Sequence, residues 1–233
     1  MNVALVLAGG TGTRLGEGVP KQYREVQGKA IIQYSLEALI QSKDIQGVWI
    51  VADEAWREFI LEGMSRAVRS SFLGFSVPGV TRQLSILNGL EDIRRLKAQT
   101  DTVLIHDAAR PLISLELLNA CFVAIDGHQG VLPVLPMKDT VYYSEDGQVV
   151  SSLLKRQCIF AGQAPELFAF GDYYQANKAL SSVEMLAING STEPAILAGM
   201  DIVMIPGQES NFKITTLTDL TRFEEIIERR QAE

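Results

Sequence analysis

The residues best suited to chemistry lie near the start of the chain, in LVLAGGTGTRLGEGVPKQY from Leu5 to Tyr23. An apolar run enters a glycine-rich loop carrying Arg14, and Lys21 follows a proline. Gly9, Gly10 and Gly12 can take up positive φ and let several N–H groups converge on an anion without a Cβ in the way. Arg14 adds a planar fork of donors for phosphate oxygens, and Lys21 adds a compact, mobile charge able to follow charge developing in a reaction. The implied chemistry is the binding of a polyphosphate, with one cation positioning it and the other acting on it.

Two better-known glycine loops fit less well. A Walker A loop needs a lysine followed by serine or threonine, which is missing here. A dinucleotide fingerprint needs GxGxxG, whereas Gly10, Gly12 and Gly16 give GxGxxxG, and the first acidic residues after the next strand, Asp53 and Glu54, come too late. A glycine-rich turn without a ligand remains open on this segment alone.

Two further residues are candidates. In HDAARP, Asp107 ends an apolar strand beside two alanines, where a carboxylate could hold Mg²⁺ directly or through water, or simply cap a helix. Ala108 and Ala109 would let a flat base or a ribose approach. Lys213 in SNFKITT reads by itself as a solvated residue on an edge strand.

The elements that must position these residues alternate. Strand Val3–Leu7, helical spacing at Ile32, Leu36 and Leu39, and the continuous apolar run Val48–Asp53 give strand, helix, strand. A charged amphipathic stretch and the run Phe72–Val77 follow. Then come a helix over Gln83–Leu96, strand Thr102–Asp107, a helix near Leu115–Ile125 and strand Gly130–Leu135. Such alternation predicts an α/β fold with a mostly parallel, twisted sheet flanked by helices and ligands beyond the strands' carboxyl ends. That rim would carry both the glycine loop and His106–Asp107. From Asp139 to Phe160 two β-prone runs surround an Asp-Gly turn, predicting a protruding hairpin. The chain ends in a strand over IVMIPG, a strand-like NFKITT and a helix from about Asp219 using Leu220, Phe223, Ile226 and Ile227.

Composition bounds the reading. With 233 residues and no Pro-, Gly- or Ser-rich boundary, one domain over residues 1–233 is expected. The net charge of −7 argues against nucleic-acid binding, so any phosphate site is a local positive pocket. No apolar run approaches a membrane span and no leader pattern is visible, so a cytoplasmic location without membrane contact is expected. Cys121 and Cys158 read as reduced thiols, and with His106 and His128 they are too few for a His/Cys metal site.

LAGGTGTRLG, PKQY, HDAARP, the DT of the hairpin, GQAPELF and NFKITTLTDL, in this order and spacing, resemble the cytidylyltransferases that act on polyol phosphates. The resemblance covers essentially the whole chain and two branches, acting on 2-C-methyl-D-erythritol 4-phosphate or on ribitol 5-phosphate. It implies a nucleotide-diphospho-sugar transferase-like fold and transfer of CMP from CTP, with Mg²⁺, to give a CDP-polyol and pyrophosphate. Arg14, Lys21 and Lys213 would be catalytic. Ala8, Gly9, Gly10, Thr11, Gly79, Ser85, Asp107 and Ala108 would receive the nucleotide, with Asp107 also serving the metal. Residues 138–160 would form an arm wrapping a second subunit, so that Arg110, Thr140 and Arg156 hold the acceptor phosphate in a homodimer; Arg156 alone also reads as a surface residue.

Departures from the erythritol pattern fall on the acceptor side: Ala164 replaces a threonine, and Asn189, Gly190, Ser191 and Thr192 replace a Thr-Asp-Glu-Ala-Ser-like run. The residues around LAGG and GQ lean to the ribitol branch, and Ala109 leans to the erythritol branch, which is slightly preferred. A transferase using another nucleotide and a non-catalytic nucleotide-binding protein of the same fold are the competing readings. The joint presence of Arg14, Lys21, Asp107 and Lys213 counts against the non-catalytic one.

Overall fold

A computed structural model describes residues 1–10, 18–96 and 99–232. Strand β1 (Asn2–Leu7) leads to the short antiparallel pair β2 (Glu25–Val26) and β3 (Lys29–Ala30), then to α1 (Ile31–Leu39) and β4 (Gly47–Val51). Next come α2 (Glu54–Gly63), α3 (Arg66–Ser71), β5 (Phe72–Ser76), α4 (Arg82–Leu96), β6 (Thr102–Asp107), α5 (Leu115–Ala124) and β7 (Gly130–Pro136). The second half holds β8 (Tyr142–Tyr143), β9 (Ser152–Leu153), β10 (Phe160–Gly162), β11 (Glu166–Ala169) and α6 (Phe170–Ala179). It closes with α7 (Ser182–Ala187), α8 (Glu193–Leu197), β12 (Ile202–Pro206) and α9 (Leu217–Ala232).

Among the described residues the main sheet has eight strands in the order β10-β7-β11-β6-β1-β4-β5, with β12 also on β7. The pairings β6/β1, β1/β4, β4/β5 and β7/β12 are parallel, whereas β11 runs antiparallel to both β6 and β7. The alternation of side chains along the strands separates two cores. Ala4, Val6, Val48, Ile50, Leu104 and Leu167 pack on one face, and Val3, Leu5, Trp49, Val51, Val103, Ile105 and Phe168 on the other. Both faces are buried, so the strands read as continuous apolar runs. The result is the mixed, mostly parallel sheet between helices that the alternation predicts.

Local signals explain several boundaries. Asp53 caps α2 by accepting from the Ala55 N–H, and Ser65 and Ser114 do the same for α3 and α5. The hairpin β8/β9 turns at Asp146–Gly147, with Gly147 at φ 73° and Asp146 accepting from the Gln148 and Val149 N–H groups.

One expected strand is absent. Residues 212–215 form no regular element, so Lys213 is not on a sheet edge. The segment is pinned instead by the fully buried Ile214, whose N–H donates to the Ala109 carbonyl at 2.9 Å. Ile214 joins Phe223 and Ile227 of α9 in a third apolar cluster.

Candidate active site

Over the carboxyl ends of β1 and β6 lies a cleft of about 560 Å³. Its lining includes Gly9, Gly10, Lys21, Gly79, Arg82, Ser85, Asp107 and Lys213. The strand ends place these groups: Leu7 pairs with Asp107 in register, so the glycine loop and the carboxylate leave the sheet side by side.

The glycines have different jobs. A Cβ on Gly9 would sit 2.4 Å from the Pro78 Cβ, so the close approach of two loops requires glycine there. A Cβ on Gly10 would meet nothing within 4 Å, and its absence keeps that part of the cleft open. At Gly79 a Cβ would fall 2.3 Å from the Leu84 Cβ, while its N–H donates to the Ser85 hydroxyl at 3.0 Å.

Lys21 opens a short 3-10 turn, Lys21–Tyr23, that is tied to the end of β1. The Gln22 amide donates to the carbonyls of Ala8 (2.6 Å) and Gly10 (2.7 Å), and the Tyr23 hydroxyl donates to Ala8 at 2.9 Å. Tyr23 in turn stacks on Trp56 with ring centres 4.3 Å apart. These contacts hold the backbone bearing Lys21 against the glycine loop.

Asp107 is the electrostatic centre. Its Oδ1 meets Arg82 Nη2 at 3.0 Å, and its Oδ2 meets Lys213 Nζ at 3.0 Å and Arg110 Nε at 3.5 Å. Burial alone would raise its pKa, but the Arg82, Lys213 and Arg110 charges overcome that and hold it well below the usual carboxylate range. Next to it, burial pushes His106 down to about 4, so the imidazole is neutral at pH 7 and its Nε2 can donate to the Arg110 carbonyl, 3.1 Å away.

The residues singled out from the sequence therefore divide. Gly9, Gly10, Lys21, Gly79, Ser85, Asp107 and Lys213 line one cleft. Ala8 and Ala108 stand behind it: their N–H groups donate to Val51 and Leu7, and their carbonyls accept from Gln22 and Tyr23 and from Ser35. Arg110 is also set back, donating to the Asn211 carbonyl at 2.7 Å. Thr140 and Arg156 are exposed and do not line this cleft within the chain; Arg156 donates to the Lys138 carbonyl. Thr11 and Arg14 lie outside the described residues.

Sequence reasoning missed Arg82, Gln22 and Thr215. Arg82 carried a usable signal, since a cation at the first position of a helix opposes the macrodipole unless an anion faces it. Thr215 is held at the cleft by Asp219, which accepts from its N–H and hydroxyl. The α-helical location of Gln33, Asn177 and other buried amides gives no comparable pointer.

Among the described residues the cleft at the carboxyl edge of this mostly parallel α/β sheet is lined by glycines, two lysines and one carboxylate, groups suited to a nucleotidyltransferase, and the fold is nucleotide-diphospho-sugar transferase-like. The sequence profile of the 2-C-methyl-D-erythritol 4-phosphate cytidylyltransferase family matches residues 2–229, and the chain belongs to that family. It is therefore an enzyme, a cytidylyltransferase.

Its relatives include ribitol-5-phosphate cytidylyltransferase of Streptococcus agalactiae serotype III (strain NEM316), 31% identical and covering 100% of this chain and 98% of that one. 2-C-methyl-D-erythritol 4-phosphate cytidylyltransferase of Rubrobacter xylanophilus is 32% identical, covering 98% of this chain and 96% of that one. The crystal structure of 4-diphosphocytidyl-2C-methyl-D-erythritol synthase from Anaerococcus prevotii has the same fold, with a TM-score of 0.80 at 23% identity over 97% of this chain and 96% of that one. Among the described residues no helix is long and apolar enough to cross a membrane.

Proposed function

We propose that the chain transfers CMP from CTP to 2-C-methyl-D-erythritol 4-phosphate. The observation that carries the reading is the single cleft that brings Lys21 and Lys213 together with the glycine loop and Asp107 in a chain of this family. An acceptor phosphate oxygen attacks the α-phosphorus of CTP, a new P–O bond forms, and the bond to the bridging oxygen breaks to release pyrophosphate. The acceptor phosphate is already ionised, so no general base is required and catalysis is alignment and charge neutralisation. Lys21 and Lys213, with Arg14 from the loop, neutralise the pentacovalent phosphorus and the departing pyrophosphate. Gly9, Gly10, Gly79 and Ser85 receive the base and ribose.

Asp107 is the carboxylate lining the cleft, and among the described residues no group of three or more His, Cys, Asp and Glu could form a protein-only metal cage. This donor set fits Mg²⁺ that takes its other ligands from phosphate and water, with Asp107 holding it directly or through water. The ion would supply further neutralisation of phosphate charge.

Residues 1–233 act in this reading as one catalytic domain, in the cytoplasm. The hairpin arm within 138–160 exposes Tyr142, Tyr143, Val149, Val150 and Leu153, and this apolar surface supports a homodimer in which the arm brings Thr140 and Arg156 to the partner's acceptor site beside Arg110.

Ribitol 5-phosphate is the second acceptor, favoured by the full-length similarity to the streptococcal enzyme and by LAGG and the GQ before Ala164, while Ala164 and Asn189 depart from the erythritol pattern. Pyrophosphate release with CTP and each polyol phosphate in parallel decides between them. The methylerythritol substrate should give the higher kcat/KM, and no release with any polyol phosphate would overturn the reading. Melting curves with CTP, UTP, GTP and ATP check the nucleotide, CTP giving the largest stabilisation.

A further inference from the structure

Lys213 reaches the cleft on a segment without regular structure, so something other than a ladder must fix it. On one side the bond from the Ile214 N–H to the Ala109 carbonyl does so. On the other the chain is held by two buried amide side chains, Gln163 from the GQAPELF motif and Asn211 from NFKITT.

Gln163 lies between β10 and β11 and pairs with Gln208 much as a neighbouring strand would. Its Nε2 donates to the Gln208 carbonyl at 2.8 Å, and its Oε1 accepts from the Gln208 N–H at 3.0 Å. Gly207 leaves room for this pairing, since a Cβ there would fall 2.7 Å from the Gln163 Oε1. Asn211 binds in the reverse direction, its Nδ2 donating to the Ala164 carbonyl at 2.8 Å. The backbone just before Lys213 is thus stitched to Gln163 and Ala164 by neutral groups. They fix it without adding charge to a cleft in which Lys213 already shares Asp107 with two arginines.

We propose that Gln163 and Asn211 are positioning residues that clip the Lys213 segment to the connection between β10 and β11, so that the lysine meets the phosphates from a fixed backbone. Neither lines the cleft, and both act through Lys213. This role rests on the cytidylyl-transfer reading, in which Lys213 neutralises charge at phosphorus. A misplacement of about 1 Å can cost about a hundredfold in rate, so a loosened clip should show in turnover.

The test compares the wild type with Gln163→Met, which keeps the length and loses both bonds to Gln208, and with Asn211→Ala, which loses the bond to Ala164. Pyrophosphate release is measured with CTP and whichever polyol phosphate the wild type turns over. In each variant kcat should fall about tenfold while the KM for CTP changes by less than about threefold. Gln163→Glu, which keeps an acceptor for the Gln208 N–H, should fall between the wild type and Gln163→Met. With Lys213→Ala in place, measured in single turnovers, Gln163→Met should cost less than about twofold, because the lysine it positions is gone. A wild-type kcat in either variant, or an equal loss with and without Lys213, overturns the proposal. Hydrogen exchange needs no turnover: Gln163→Met should speed exchange over residues 208–214 about tenfold and leave β1 unchanged, and wild-type exchange there also overturns it. If either variant does not fold, Gln163→Glu takes its place in both measurements. A wild type silent with every polyol phosphate instead overturns the reading of the function, while hydrogen exchange still decides whether the clip holds the segment.

Discussion

The cleft and the hairpin arm are built on opposite principles. Around the cleft, charged groups are fixed by burial: Asp107 is 7% exposed and shared by Arg82, Lys213 and Arg110, on a sheet buried on both faces. The arm is a two-residue ladder, Tyr142–Tyr143 against Ser152–Leu153, with both tyrosines and Leu153 at least half exposed. A lone hairpin this thin is marginal in water, so its conformation asks for an outside surface. The cleft is thus preorganised by its own chain, whereas the arm would gain its missing surface only from the proposed dimer.

The largest test of that contrast is Lys21→Ala. Turnover should fall about 10³-fold with CTP still stabilising the fold, measured by pyrophosphate release beside a CTP melting series. An unchanged rate would remove Lys21 from the chemistry. Asp107→Asn should follow, lowering stability by about 2 kcal/mol in chemical denaturation because the partly buried Arg82, Arg110 and Lys213 lose their counter-charge.

The pH dependence is of comparable size. Burial lowers the His106 pKa in the folded state to about 4 from an ordinary 6.5, so the unfolded chain binds a proton first as pH falls. Stability should be full well above pH 6.5 and decline between 6.5 and 4, by an amount on the order of 3 kcal/mol for this group. His106→Gln should flatten that part of a denaturation-versus-pH curve, and an unaltered slope would assign the loss elsewhere. Asp107 adds a further loss that begins near its ordinary value of 3.8, where the unfolded chain starts to bind the proton, and continues below it because the fold depresses this carboxyl.

The arm supplies the smallest effect and the sharpest geometry. Arg156→Ala should weaken acceptor binding about tenfold, seen as a raised KM for the polyol phosphate with little change for CTP. Mixing it with Lys21→Ala should restore activity toward about a quarter of the wild-type level, since in mixed dimers one site receives both native residues. No restoration after subunit exchange would mean that the arm serves its own chain.

Much of this contrast was legible in the residues, for physical reasons. Strand ends were readable because buried parallel strands are continuous apolar runs, which is why Thr102–Asp107 matches the structure at both ends. Gly9, Lys21 and Asp107 were readable because their types suit phosphate chemistry. β11 was not, since ELFA is short and its antiparallel insertion between β6 and β7 is set by pairing partners distant in sequence. NFKITT has strand composition, but Ile214 is captured by the apolar cluster under α9 instead of by a ladder. Arg82 was easy to pass over for a related reason: an arginine opening a helix looks like a surface residue until the fold sets Asp107 opposite it.

The double capture of the Ala8 carbonyl has a mechanical consequence. With Gln22 and Tyr23 both clamped to one oxygen, and Tyr23 lying flat on Trp56, the position of Lys21 is geared to an aromatic stack on the far side of its turn. Remodelling that stack is a way to retune the reaction without altering any group that meets the nucleotide.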